Sequence, residues 1–136
     1  MENSAALKLT TQRDVIKYFI EKMDIEMIDM ILSNKNTYQD LPKETFIQKL
    51  FSAFNEFKKH GDDYLVAHSG QCNNCFTDKT GYIFIGNNSN NYMSILFDDV
   101  AGEIKDLAEC SDFKTNNPHL KLNERVYIDE LELLGF

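Results

Sequence analysis

The hydrophobic period changes once along this chain, and that change limits the fold more than any motif does. Up to Gly61 the apolar residues recur at helical spacing. From Asp63 onward they alternate. A helix brings residues three and four apart to one face, whereas a strand brings every second residue there. The order is therefore helices first and strands afterwards, which predicts an α+β domain rather than alternating β–α–β units.

The first helical stretch starts near Thr11, where Thr11 and Asp14 have the spacing of a capping box with Asp in place of Glu. Ile16, Phe19, Ile20, Met23, Met27, Ile28 and Ile31 then form one stripe, read as core packing, and Ser33 to Asn36 end it. In "TYQDLPKETFIQKLFSAFNEFKKHG" the second helix opens at Asp40 or Leu41, with Pro42 in its first turn. Its stripe is Phe46, Ile47, Leu50, Phe51, Phe54 and Phe57. Lys58, Lys59 and His60 suit the dipole at its C-terminal end, and Gly61 suits the C′ position.

In "DYLVAHSG" the alternation puts Tyr64, Val66 and His68 on one side and Leu65, Ala67 and Ser69 on the other. "TGYIFIGN" and "NYMSILFD" are further strands, separated by the turn-rich "NNSNN". "GEIKDLAECSDF" is a fourth, and a short strand at Val126 to Asp129 closes the series. The expected architecture is a meander with helices over one face of a curved antiparallel sheet. One domain is expected over residues 1–136, with 1–10 and 114–124 less regular.

Composition narrows the functional classes. With 136 residues, 43% of them apolar, the chain can bury a real core. Twenty-two acidic residues against fourteen basic ones give a formal charge of −8, with no basic footprint for nucleic acid or an anionic membrane. No secretory h-region and no run of eighteen apolar residues is visible, so a cytoplasmic protein is expected. GxGxxG, GxxxxGK, HExxH and GxSxG are all missing.

The residues with chemistry cluster in "HSGQCNNC". His68, Cys72 and Cys75, with Cys110 brought from a later strand, make the Cys3His donor set of tetrahedral zinc. That set leaves no open position, so the ion would be structural, clamping the 68–75 hairpin to the strand of Cys110. Cys72 and Cys75 alone have the spacing of a redox pair, although no basic residue adjoins them. The third reading makes the thiols small hydrophobes, with Cys110 in the core. The pairs Asp62–Asp63 and Asp98–Asp99 read as solvated acidic ends beside turns, with a weakly held cation as the alternative. Tyr82, Tyr92, Phe84 and Phe97 read as core filling.

The element order resembles the nuclear-transport-factor-2-like family, also called SnoaL-like. "NTYQDLPKETFIQKLFSAF" is similar to the stretch where that family, after an aromatic near the position of Tyr38, enters its second helix. "GEIKDLAEC" is similar to its late strand, and the resemblance covers most of residues 11 to 113. It implies a strongly curved sheet around a cone-shaped cavity, a small apolar ligand, and a homodimer formed through the sheet. The resulting expectation is a ligand-binding or protein-interaction domain. The alternative is a small lyase or isomerase in which His68 acts as general base, with Asp98 or Asp112 as partner. A zinc-bound His68 would have its lone pair occupied and could not serve as that base.

Overall fold

The computed structural model describes residues 11–72, 80–110, 113–115, 117 and 119–128. Helix α1 runs Gln12–Glu21, α2 Ile25–Ile31 and α3 Lys43–Lys59. The strands are β1 Thr37–Tyr38, β2 Leu41–Pro42, β3 Leu65–Cys72, β4 Thr80–Gly86, β5 Tyr92–Val100, β6 Glu103–Glu109 and β7 Phe113–Thr115. β1 and β2 form a small hairpin. The other five make an antiparallel sheet in the order β6-β5-β4-β3-β7. The α+β class and the meander from β3 to β6 are as expected.

The first helical stripe is broken in two. Thr11 caps α1, its hydroxyl accepting from the Asp14 N–H at 3.2 Å. Met23 then takes a left-handed conformation at φ 55°, and Asp24 caps α2 by accepting from the Met27 N–H at 3.2 Å. Buried Ile16, Ile20, Met23, Ile28 and Leu32 continue one apolar face across the break, so the stripe alone did not reveal it.

The second expected helix begins later than the sequence suggested, at Lys43. Gln39 and Asp40, with φ 57° and 63°, form a two-residue turn that pairs Tyr38 with Leu41. The far end of α3 follows expectation. Gly61 has φ 91°, its N–H donates to Lys58 O at 3.0 Å, and the Asp62 N–H donates to Phe57 O at 3.1 Å. Those two bonds satisfy carbonyls that a helix end would otherwise orphan. Along α3 the buried residues are Phe46, Leu50, Ala53, Phe54 and Phe57, while Phe51 is 46% exposed.

The helices cover one face of the sheet. Leu65 on β3, Phe84 on β4, and Met93, Ile95 and Phe97 on β5 meet Ile16, Ile20, Phe46 and Phe54 in one core. On β6 the core residues Ile104 and Leu107 are three apart, which plain alternation forbids. Asp98 pairs with Asp106 and Asp99 with Ile104, so Lys105 is the extra residue of a bulge that returns Ile104 to the core face. Arg13 ties α1 to this end of the sheet. It donates to Asp99 at 3.1 Å and to Phe97 O at 3.0 Å, and its guanidinium lies 5.4 Å from the Phe97 ring centre. Burial lowers the Arg13 pKa, and the bonds to Asp99 and Tyr82 outweigh it, for a net rise.

The cone expected from the nuclear-transport-factor-2-like resemblance is corrected here. The sheet is open, since β6 and β7 lie at opposite edges and do not pair. The space between helices and sheet is filled by the fully buried rings of Tyr38, Phe46, Phe54, Phe57, Phe84 and Phe97. Rings that fill the helix-facing side leave no cone-shaped cavity there. No helix among the described residues is long and apolar enough to cross a membrane.

The tail does not add the expected strand. Arg125 makes a single parallel bridge to Tyr92 beside β5, where β6 has already diverged. Val126 and Ile128 are buried in the core, and Asp129 lies outside the described residues.

Candidate functional site

β3 alternates as the sequence indicated. Leu65 and Ala67 pack toward the core, which leaves Val66 and His68 on the sheet face turned away from the helices. His68 pairs with Ile83, and Ile83 with Ser94. The Cys110 N–H in turn bonds Ser94 O at 3.2 Å. His68, Ile83, Ser94 and Cys110 thus form one transverse row on the same face. His68 and Cys110 stand three strand spacings apart in it, about 14 Å at ~4.8 Å per spacing.

That register corrects the zinc expectation. A zinc ligand lies about 2.0–2.3 Å from its ion, so His68 and Cys110 cannot share one across two intervening strands. Among the described residues no group of three or more His, Cys, Asp or Glu could hold a metal ion. Cys75 and the side chain of Cys72 lie outside the described residues, as does the redox spacing they would form. Cys110 is 7% exposed, a position that suits a small hydrophobe.

The same register places Asp98. It lies four residues beyond Ser94 along β5, about 13 Å at ~3.3 Å per residue, and two strands across from His68. The structure therefore does not bring His68 and Asp98 together. Asp112 lies outside the described residues.

What surrounds His68 is a groove. A cleft of about 240 Å³ is lined by Val66, His68, Ile85 and Gly86 of the sheet together with Leu120 and Lys121. It continues past Asn90 and Lys121 into a second cleft of about 400 Å³ between Asn88–Asn90 and Lys121–Asn123. One wall is therefore the "NNSNN" turn between β4 and β5. The other is the irregular strap of residues 119–123.

A buried carboxylate fixes the turn wall. Asp62 is 2% exposed and accepts from the N–H groups of Asn88 and Ser89, each at 2.7 Å, and from the Ser89 hydroxyl at 2.6 Å. Asn87 Oδ1 accepts from the N–H groups of Asp63 and Tyr64 at 2.8 and 3.2 Å. The strap is pinned to the turn in its turn. The Asn123 N–H donates to Asn90 O at 2.8 Å, and the Glu124 N–H to Asn91 Oδ1 at 3.1 Å. The sequence predicts a solvated acidic end at Asp62, and its burial beneath the turn corrects that expectation.

With its walls held by other groups, the groove has hydrogen-bonding side chains to spare. Among the described residues the His68 ring, the Asn90 amide and the Lys121 ammonium have no hydrogen-bond or ion-pair partner, and the Asn87 NH2 is also unengaged. Val66 and Leu122 remain 39% and 45% exposed at its apolar margins. Comparison with known protein families, curated proteins and solved structures returns no match to this chain. The resemblance to the nuclear-transport-factor-2-like family thus finds no support from relatives and is contradicted by the open sheet.

Proposed function

We propose that the protein is a binding module that holds an extended polypeptide segment in the groove between the β4–β5 turn and the strap of residues 119–123. The observation carrying this reading is the lining. Unspent polar groups at His68, Asn87, Asn90 and Lys121 share the lining with apolar Val66, Ile85 and Leu120, and the turn and strap are held by hydrogen bonds to other groups. A recognition site needs just this division between rigid support and uncommitted contact groups. Both clefts are open to solvent, and this favours a chain lying across them over an enclosed small molecule. Catalysis would need a second group beside His68, and Asp98 stands two strands away.

The test is selection from a random-sequence displayed peptide library on the immobilised protein, repeated on a variant with Asn90→Arg and Leu120→Glu. Enrichment on the original chain that the variant loses is the expected result. No enrichment, or enrichment indifferent to the two substitutions, would remove the groove as the binding site.

A further inference from the structure

We infer that the partner segment is acidic, with carboxylates alternating with apolar residues; this rests on the peptide-groove reading above.

The charge of the chain is unevenly spread. The protein carries −8 in total, yet residues 113–125 hold Lys114, Lys121 and Arg125 against the single acid Glu124. This basic stretch includes the strap that walls the groove. Lys121 stands where the two clefts meet and lines both. Among the described residues no acid pairs with it. His68 and the Asn87 NH2 add donors across the groove. Asp62, beneath the turn, already accepts two N–H bonds from the loop backbone and one from the Ser89 hydroxyl. The groove therefore offers one uncompensated ammonium beside amides and an imidazole, in a molecule whose net charge is −8.

The strap also sets the pattern. Leu120, Lys121 and Leu122 read apolar, basic, apolar. Leu120 lines the first cleft together with Val66 and Ile85, and Leu122 lines the second. An extended segment presents its side chains alternately. Its apolar residues would meet Val66 and Leu120, and a neighbouring carboxylate would reach Lys121. Opposite charges facing each other across extended segments are the favourable arrangement.

The experiment uses the full chain and three fluorescent peptides of one length. In all three Val and Leu alternate with a second residue, which is Glu, Gln or Lys. Binding is read by anisotropy at low and at high salt. The expected result is that the Glu peptide binds about threefold tighter than the Gln peptide at low salt and that salt erodes this advantage. Lys121→Glu should weaken the Glu peptide about fivefold or more and favour the Lys peptide. Lys121 is exposed, so the variant is expected to keep the melting temperature of the original chain. Equal binding of the Glu and Gln peptides, unchanged by Lys121→Glu, would overturn the acidic partner and leave the groove standing. Binding by none of the three would overturn the groove reading itself.

Discussion

Ser89 gives Asp62 two hydrogen bonds, one from its backbone N–H at 2.7 Å and one from its hydroxyl at 2.6 Å. Twenty-seven residues separate the two in sequence. Through this contact the end of α3 dictates the shape of the β4–β5 turn, and the turn in turn anchors the strap. The groove is thus built on a buried charge placed outside it.

Removing that charge should loosen both walls. Asp62→Ala leaves the donors of Asn88 and Ser89 without their acceptor, and a loss of about 2–4 kcal/mol is expected. Gly86→Ala should destabilise by a different route, because a Cβ there would collide with the Asp62 carboxylate. The collision is with a side chain, so the two substitutions should be non-additive: in an Asp62→Ala background Gly86→Ala should cost little. Urea midpoints of the four proteins check this, and simple additivity would contradict the contact.

Tyr38 gives a pH prediction. Burial raises the pKa of its hydroxyl, which donates to Ser33 O at 3.0 Å. A phenol whose folded pKa lies above its unfolded value of about 10 adds stability below pH 10 and loses it as pH rises through the folded pKa. Tyr38→Phe should cost about 1 kcal/mol at neutral pH. The gap between Tyr38→Phe and the original chain should then narrow above pH 10. Thermal melts from pH 7 to 11 measure this, and a gap that widens with pH would refute the assignment.

The switch from helix to sheet was legible because period is a local property. Leu65 and Ala67 could be sorted from Val66 and His68 without any tertiary knowledge, and Gly61 could be placed by its freedom at positive φ. What was not legible depended on partners distant in sequence. Spacing put Cys72 and Cys75 together, but strand order is not written in spacing, and the β5 and β4 strands stand between Cys110 and His68. The Gln39–Asp40 turn was hidden because neither residue is the Gly or Asn that usually marks it. The groove was hidden because it exists only once the strap and turn have been tied by Asn123 and Asn91.

That turn yields a stabilising substitution. Asp40 sits at φ 63° and is exposed. A left-handed conformation costs an L residue about 1–2 kcal/mol, less for Asp than for most. Glycine avoids this cost but adds unfolded-state entropy. Asp40→Gly should therefore gain about 0.5–1 kcal/mol, whereas Asp40→Val should lose at least as much, since a branched Cβ is poorly tolerated there. Melting temperatures should fall in the order Gly, Asp, Val. Any other order would mean that the hairpin is not held in this turn.

The outer edge of β6 is covered by side chains. Gln12 Oε1 accepts from the Ile104 N–H at 2.9 Å, and Asn36 Nδ2 donates to Ile104 O at 3.3 Å. Gln39 Oε1 accepts from the Glu109 N–H at 2.8 Å. An edge strand with open backbone groups invites another strand, and three amides occupy those groups here. Each amide lost should cost about 1 kcal/mol. The second consequence is association. A Gln12→Ala, Asn36→Ala, Gln39→Ala variant should self-associate through β6 at concentrations where the original chain does not. Sedimentation velocity over a hundredfold concentration range would detect it. Placing Lys at Gln39 in the same background should restore the original behaviour, because a charge at an edge blocks pairing without making any of the lost bonds. If the triple variant sediments like the original chain, the amides act only on stability and the edge needs no protection.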